Sequence, residues 1–424
     1  MRSGDVAARV PLPARLGVRG LATRSVLEAT RAAARIGGGG EPLLDPVRIA
    51  TAYTSERHLR VDGVQPVAFA ALSGFFRTAD GWVRTHGNYP HHAAALLGAL
   101  GMPSDAGRAE VAATLARSDA EESSRRIVRA GGICAAVRRE DPRSDARLRS
   151  APLVAEHRLG AGAPRPLPGP SPDAPLAGVR VLDLTRVIAG PVATRTLALL
   201  GADVLRLDPP RFREIPAQHF DTGHGKRSAL LDLGSAVGAA RFWELLASAD
   251  VVVLGYRPAG LDALGLSPAA LAARRPGLVI ARLSAWGDPA ARGFDSIVQA
   301  ACGIAMIESV DGDTPGVLPA QALDHSAGYL LAAGILRLLE RRAADGGSWV
   351  AGTSLRRVAA ELLGMPRTIG TVTPTAFDVG GHTQTFDVAG AALVTAASAV
   401  AYSGGPTGFA PPRPWGEDEP AWQE

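Results

Sequence analysis

One segment constrains the fold of this chain more than any other, the stretch from Pro175 to Asp232. Its apolar run PLAGVRVLDLT predicts a buried strand over Val179–Leu184. VATRTLALLG then predicts a helix that ends at Gly201, and ADVLRLD predicts a second strand over Ala202–Asp208. A strand, a helix and a strand within about thirty residues form the right-handed crossover unit of a parallel sheet.

The loop after the first of these strands is the first candidate site. RVIAGP, from Arg186 to Pro191, predicts a tight loop in which Gly and Pro end the strand. Ligands of parallel sheets bind beyond the carboxyl ends of the strands, which is where this loop lies. It has one glycine where the GxGxxG fingerprint needs three, so the pattern argues against a nicotinamide dehydrogenase.

Strands and helices keep alternating after this unit, which predicts an α/β fold with a doubly wound parallel sheet. The further strands fall within GKRSALLDL, ADVVVLGYRP and LSAWG with the residues before it. Tyr256, Arg257, Ser284 and Trp286 lie at predicted carboxyl ends of strands. The sequence SWVAGTSLRRVAAELLG predicts another helix, and the Gly-, Thr- and Pro-rich residues after it predict short strands and a meandering tail.

The residues before this segment predict a smaller α+β domain. GFFRTADGWVRTHGN predicts a hairpin that turns at Asp80-Gly81, and helices follow it. His86, His91 and His92 suggest metal ligands, but adjacent residues of a helix point to different faces and no Cys or carboxylate cluster completes a shell. With the Pro-rich linker, the predicted boundaries are 1–163, 164–175, 176–355 and a tail of 356–424 that packs on the large domain or a partner subunit.

Asp324 precedes a long apolar helix that the sequence predicts over Ser326–Arg342. A carboxylate at the N-cap accepts backbone N–H bonds and interacts with the helix dipole, which is a purely structural role. The same position would hold a carboxylate nucleophile rigidly beside N–H donors. The sequence pattern leaves both interpretations open.

Composition excludes several classes of function. The net charge is 45 − 41 = +4 and is evenly spread, which argues against nucleic-acid binding. No run of eighteen apolar residues predicts a membrane span. Cys134 and Cys302 suggest a reducing compartment, so we expect a cytoplasmic protein. The Arg-rich N-terminal region predicts an ordinary helix over Ala22–Ile36 rather than a transit peptide.

Six blocks of the chain, in order, resemble the class III CoA-transferases of the CaiB/BaiF type, which include formyl-CoA and carnitine CoA-transferases. The blocks are PLAGVRVLDLTRVIAGP, LGADVLRLD, GKRSALLDL, ADVVVLGYRP, LSAWG with GFDSIVQA, and ALDHSAGYLLAAGILRLLERR. The resemblance implies a Rossmann-like large domain, a smaller α+β domain and an interlocked homodimer. In this family the small domain follows the large one, whereas TADGWV and GGICAAV precede it here. The sequence therefore predicts a circular permutation.

The resemblance also implies a site. Asp324 matches the family's catalytic aspartate, which attacks an acyl-CoA thioester and forms anhydride and aspartyl-CoA intermediates. CoA is then a substrate, with no permanently bound cofactor and no metal, and a small carboxylate is the acceptor. By the same resemblance, Tyr256 is expected to stack on the adenine. The expected CoA contacts are Arg186, Val187, Ile188, Ala189, Leu231, Gly255, Tyr256, Arg257, Arg292 and Phe294.

Two alternatives remain open from the sequence. An α-methylacyl-CoA racemase of the same superfamily carries a GHD block, whereas this chain has Gly293-Phe294-Asp295, and phenylalanine carries no proton. A non-catalytic CoA-binding or assembly subunit is the second alternative. It predicts measurable CoA binding without covalent labelling of Asp324.

Overall fold

A computed structural model describes residues 3–370, 372–373 and 376–423 of the chain. Its helices are α1 (Ser3–Ala7), α2 (Val18–Gly37), α3 (Pro46–Tyr53), α4 (Ser55–His58), α5 (Pro90–Leu100), α6 (Arg108–Leu115), α7 (Ala120–Arg129), α8 (Pro142–Arg149), α9 (Ala189–Leu199), α10 (Pro216–Thr222), α11 (Ala236–Leu246), α12 (Pro258–Ala263), α13 (Pro268–Arg274), α14 (Asp295–Ala301), α15 (Ile304–Ile307), α16 (Ala322–Asp345) and α17 (Leu355–Leu363). Its strands are β1 (Arg60–Val61), β2 (Gly74–Arg77), β3 (Trp82–Thr85), β4 (Cys134–Ala136), β5 (Ala155–Gly160), β6 (Arg180–Leu184), β7 (Asp203–Asp208), β8 (Lys226–Leu230), β9 (Val251–Leu254), β10 (Val279–Ser284), β11 (Ser348–Ser354), β12 (Thr383–Val388) and β13 (Ala391–Ala396).

A seven-stranded sheet organises the fold, with the strand order β5-β11-β10-β9-β6-β7-β8. All neighbours are parallel except β5, which pairs antiparallel with β11 at one edge. Its central strand β9 is buried at every position, as expected when helices cover both faces. The α/β fold class predicted from the sequence is confirmed, with helices on a largely parallel sheet and a smaller antiparallel sheet beside it.

The loop after β6 is shorter than the sequence predicted. Gly190 and Pro191 lie in the first turn of α9 and do not end the strand. Proline is tolerated there because the first backbone N–H groups of a helix have no intrahelical acceptor. A Cβ at Gly190 would come within 2.6 Å of Thr185, so only glycine lets the helix start this close to the strand.

Helix α16 is the central helix, and its residues are buried on almost every side. It packs against α9 and α2 in the largest apolar core, which also contains Tyr53 of α3. The helix begins earlier than predicted, because Gln321 is its N-cap residue. Asp324 therefore lies inside the first turn, and its predicted position at the N-cap is wrong.

The segment SWVAGTSLRRVAAELLG is not one helix as predicted. Its first half is strand β11, which pairs with β10 and β5, and only its second half is helix α17. Gly346 and Gly347 adopt positive φ angles of 64° and 83°, which ends α16 and redirects the chain. A buried strand is apolar on both faces, and a short apolar run of this kind resembles a buried helix in sequence.

The smaller sheet has the order β2-β3-β4 and lies in the N-terminal part of the chain. Gly74 pairs with Thr85 and Arg77 with Trp82, so the predicted hairpin with its turn at Asp80-Gly81 is confirmed. Helices α5, α6 and α7 cover this sheet and share an apolar core with it. This unit contains the α+β elements that the sequence predicted.

The packing at the N terminus differs from the expectation. Helix α2 packs on α16 in the large core, and β5 forms the edge of the large sheet. Both elements lie within 1–163, which the sequence assigned to the small domain. The domain boundaries stay a prediction, but α2 packs on α16 through its buried apolar residues, and β5 joins the sheet by antiparallel backbone pairing with β11.

The C-terminal tail packs on the large sheet of its own chain. Strands β12 and β13 form a small antiparallel sheet with β1. Beyond them, the Trp415 Nε1 donates to Asp208 Oδ2 at 2.9 Å, and the Trp422 Nε1 donates to the Leu245 carbonyl at 3.0 Å. Across the described residues, no helix is long and apolar enough to cross a membrane.

Candidate functional site

An open cleft with a volume of about 360 Å³ lies at the carboxyl ends of β6, β9 and β10. The loops that follow these strands form one wall, and the start of α5 forms another. This is the edge at which the sequence placed the candidate site. The cleft therefore arises where several strand ends of the large sheet meet the smaller N-terminal unit.

Eight of the ten residues predicted to contact CoA line this cleft, and they are Arg186, Val187, Ala189, Gly255, Tyr256, Arg257, Arg292 and Phe294. Ile188 instead lines a second cavity that adjoins the cleft. The structure does not bring Leu231 to either cavity. Leu231 is buried in the second apolar core, and its N–H donates to the Asp208 carbonyl.

The second cavity is an inner chamber of about 60 Å³. It shares Val187, Phe294 and Asp324 with the cleft, so the two spaces meet at Asp324. Val187 has a φ of 72°, a left-handed conformation that is costly for a β-branched residue. This strained backbone lies at the junction of the two cavities.

The Asp324 side chain is only 6% exposed and reaches both cavities. Its burial, together with the negative charge of Asp295, raises the pKa of the carboxyl well above its usual range. In the free protein this group is therefore held as the neutral acid over a wider pH range than an ordinary aspartate. Any ligand that brings positive charge to the junction favours its ionised form.

Asp295 was considered from the sequence only as part of the Gly293-Phe294-Asp295 block and was not included among the predicted site residues. Its Oδ2 accepts the Asp324 N–H at 2.9 Å, and its Oδ1 accepts from the Gln299 amide at 2.5 Å. Burial raises the pKa of this carboxyl to about 6. Asp295 thus binds the start of α16 from a different helix, a contact that its position in the Gly293-Phe294-Asp295 block does not predict.

Arg186 is fixed by a buried network. Its guanidinium forms an ion pair with Glu214 at 3.4 Å and lies 4.9 Å from the ring centre of Tyr89. Arg206 binds the same carboxylate at 2.7 Å, and although burial opposes it, Arg206 and Arg186 lower the pKa of Glu214 to about 2. Arg186 is therefore positioned at the wall of the cleft with much of its charge already paired.

Two other arginines of the cleft are exposed. Arg292 donates to the Gly131 carbonyl at 2.8 Å, a neutral partner. Arg257 has no ion-pair partner within the part of the chain that the structure describes. Burial, and then the charge of Arg257, lowers the pKa of Arg292, which indicates that the two cations are close together. The mouth of the cleft is therefore electropositive.

The Tyr256 hydroxyl donates to Asp208 Oδ1 at 3.3 Å, while its ring lines the cleft. Burial and the Asp208 charge raise the pKa of this hydroxyl well above its usual value. Beyond Tyr256 lies a third cavity of about 840 Å³, which shares Pro258, Leu283 and Ser284 with the cleft. The ring therefore separates two spaces, and its stacking on adenine stays a prediction.

The N-terminal unit supplies aromatic and imidazole groups to the cleft. Tyr89, which the sequence reasoning missed, donates its hydroxyl to Glu214 at 2.6 Å. His91 and His92 both line the cleft with ring centres 4.1 Å apart, so the expectation that they face different sides is wrong. Both lie in the first turn of α5, where side chains tilt toward the helix start. Burial, and then His91, lowers the pKa of His92 to about 4.

Comparison with known proteins finds a matching family model and several similar proteins. A family model described as CoA-transferase family III matches residues 176–396, which is about half of the chain. The chain is 32% identical over 213 residues to "Probable fatty acyl-CoA transferase Rv3272" of Mycobacterium tuberculosis, covering 46% of this chain and 54% of that protein. It is 34% identical over 212 residues to the alpha subunit of succinyl-CoA--L-malate CoA-transferase from Chloroflexus aurantiacus, covering 45% and 49%.

Among solved structures, the crystal structure of Rv3272 from Mycobacterium tuberculosis matches with 34% identity and a TM-score of 0.42. The match covers 45% of this chain and 58% of that chain. A CAIB/BAIF family protein from Brucella suis matches with 24% identity and a TM-score of 0.43, covering 53% and 67%. The chain spans about half the length of the curated relatives that it matches.

Proposed function

The chain belongs to CoA-transferase family III, and on that premise we propose that it moves CoA from an acyl-CoA donor to a carboxylic acid acceptor. Asp324 is the covalent nucleophile in this proposal. The observation that carries it is the junction at Asp324, where one buried carboxyl lies between an open electropositive cleft and a small inner chamber. A reacting thioester at that point would have CoA on one side and the acyl group on the other.

The proposed reaction begins with attack of an Asp324 oxygen on the thioester carbonyl. The carbon–sulfur bond breaks, CoA leaves as a thiolate, and a mixed anhydride remains on the protein. The thiolate then attacks the Asp324 carbonyl, which releases the donor carboxylate and leaves an aspartyl-CoA thioester. The acceptor carboxylate attacks the aspartyl-CoA carbonyl, which releases the CoA thiolate and forms a second mixed anhydride. The thiolate then attacks the acceptor's carbonyl in this anhydride, which forms the new acyl-CoA and regenerates Asp324. Several nucleophilic steps replace one difficult exchange.

The exposed cations of the cleft support the binding half of the proposal. Arg257 and Arg292 lie at the mouth with their charge available, and a guanidinium binds phosphate oxygens through paired N–H groups. The space beyond Tyr256 gives a ligand as long as CoA room to extend. Leu231 is not included among the proposed CoA contacts, because its side chain is buried in an apolar core.

Within this chain, residues from the N-terminal unit already complete the wall opposite the large sheet. The proposal keeps a homodimer as the assembly that the family resemblance implies. Sedimentation equilibrium of the purified chain tests it, with a mass of twice 43.7 kDa expected and a monomer as the contrary result.

Covalent trapping tests the function directly. The protein is mixed with a panel of acyl-CoAs, treated with hydroxylamine and analysed by peptide mass spectrometry. We expect the peptide that contains Asp324 to gain a hydroxamate, and the best-labelling thioester identifies the donor. The Asp324→Asn variant is the matched control, because it keeps the shape of the side chain and cannot form the anhydride.

Two results contradict the proposal in different ways. CoA binding by the wild-type protein without any label on Asp324 supports the non-catalytic alternative. Exchange of the α-proton of a 2-methylacyl-CoA with solvent, again without label, supports the racemase. In the racemase the catalytic histidine would stand at the position of Phe294. Burial lowers the pKa of His86, whose ring stacks on Phe294, to about 3, so we do not assign His86 as a proton carrier.

A further inference from the structure

Four residues that line the inner chamber each have one buried polar atom without a hydrogen-bond partner among the described residues. These atoms are Glu56 Oε2, His86 Nδ1, Gln218 Oε1 and Asp221 Oδ1. His86 and Asp221 are each only 5% exposed. Buried polar atoms without partners are costly, so several of them on residues that line one cavity indicate groups that a ligand satisfies.

Three acids line the chamber, Glu56, Asp221 and Asp324, and none of its described lining residues is Lys or Arg. Arg57, which is outside the lining, pairs with the other oxygen of Glu56 at 3.5 Å. Ser55 occupies the other oxygen of Asp221 at 2.6 Å, and Arg195 donates to the main-chain carbonyl of Asp221 rather than to its side chain. Three of the four free atoms are carboxylate or amide oxygens, which accept hydrogen bonds and donate none when the carboxyls are ionised.

We infer that the chamber binds the far end of a short acyl group that carries a hydrogen-bond donor, an ammonium or a hydroxyl. The inference rests on the proposed function, because it takes the reacting carbonyl to lie at Asp324. The chamber begins at that residue, and its volume of about 60 Å³ gives room for a few non-hydrogen atoms. Phe294 and Phe69 add apolar surface to the lining of the chamber.

Four CoA thioesters of nearly equal length separate the possible ligand chemistries. They are 3-aminopropionyl-CoA, 3-hydroxypropionyl-CoA, butyryl-CoA and succinyl-CoA, which end in an ammonium, a hydroxyl, a methyl and a carboxylate. Their dissociation constants are measured by calorimetry with the Asp324→Asn variant, in which no acyl transfer to the protein occurs. We expect a donor-bearing thioester to bind at least about tenfold more tightly than butyryl-CoA, with succinyl-CoA weakest.

Variants assign the preference to the chamber. Asp221→Asn and Glu56→Gln, each combined with Asp324→Asn, should reduce the preference for the donor-bearing thioester and leave butyryl-CoA binding nearly unchanged. Asp145→Asn is the matched control, because Asp145 is also a buried acid with one unpartnered oxygen but lines neither the cleft nor the chamber. Circular dichroism confirms folding of each variant.

Equal binding of all four thioesters, or a preference that survives both chamber variants, overturns the inference. A preference for butyryl-CoA or succinyl-CoA overturns it as well. The proposed function is judged separately, by labelling of Asp324 in the wild-type protein. Labelling of Asp324 without an acyl preference supports the transferase function and contradicts the proposed ligand of the chamber. An acyl preference without labelling supports the proposed ligand and contradicts the transferase function.

Discussion

The cleft and the chamber meet at one residue, Asp324, but arginines line the cleft, whereas acids and no described Lys or Arg line the chamber. The cleft contains Arg186, Arg257 and Arg292, two of them exposed to solvent. The chamber contains Glu56 and Asp221 and no described cation. In the proposed function this difference corresponds to a division of roles, in which the cleft would bind the long anionic CoA and the chamber would select the acyl group.

The protonation state of Asp324 at this meeting point is set by burial and by the negative charge of Asp295. Both raise the pKa of its carboxyl, so the neutral form is favoured in the free protein. Four predictions test whether the two sides are as distinct as the lining suggests.

Substitution of Asp324, where the two cavities meet, should have the largest effect on activity. Asp324→Ala eliminates the proposed nucleophile, so the rate of acyl exchange should fall by at least about a thousandfold. Binding of CoA itself should change little, because the proposed CoA contacts lie in the cleft. Steady-state kinetics and calorimetry measure the two quantities, and a variant that loses CoA binding as much as turnover would show that the two cavities act as one.

The exposed arginines should contribute next. Arg257→Ala or Arg292→Ala removes a charged hydrogen-bond donor, so each should raise the KM for acyl-CoA about tenfold with little change in kcat. Arg117→Ala, an exposed arginine on the smaller unit far from the lining, is the control. An unchanged KM in both variants would remove the cleft from the CoA site.

Asp295 should set the pH dependence. The neutral substitution Asp295→Asn keeps an oxygen for the Asp324 N–H and removes the negative charge that helps raise the Asp324 pKa. More Asp324 is then ionised at a given pH, so the acidic limb of kcat/KM should move down by about one pH unit. Asp313→Asn, at an exposed acid, should leave the limb in place. An upward shift would contradict the assigned role.

The smallest expected effect is on stability. Asp324→Asn should abolish activity but increase the stability of the folded protein at high pH. Asp324 has a folded pKa above its unfolded value near 3.8, so the folded state binds more protons and loses stability as pH rises above that value. Asp324→Asn carries no such penalty and should raise Tm at pH 8 by about 1–3 °C. The difference should vanish near pH 3. Differential scanning calorimetry measures it, and a lower Tm at pH 8 would contradict it.

The local signals of the sequence were sufficient for most of the large sheet. Strand β6, helix α9 and strand β7 follow from apolar runs and from Gly201, and the hairpin follows from Asp80-Gly81. Strand β11 was missed because apolar residues on both of its faces carry no period of two. The N-cap position of Asp324 was wrong by one turn, because Gln321 makes no side-chain capping bond and gives no sequence signal.

The sequence by itself determined the alternation of strands and helices, the loops at the ligand edge and an aspartate at the start of the longest helix, since these depend on neighbouring residues. Only the tertiary structure decided the rest of the site. Asp295 and Asp324 are 29 residues apart, and the chamber combines Glu56, His86 and Asp221 from distant parts of the chain. Burial and charge at such a junction depend on packing, which periodicity and spacing along one chain do not encode.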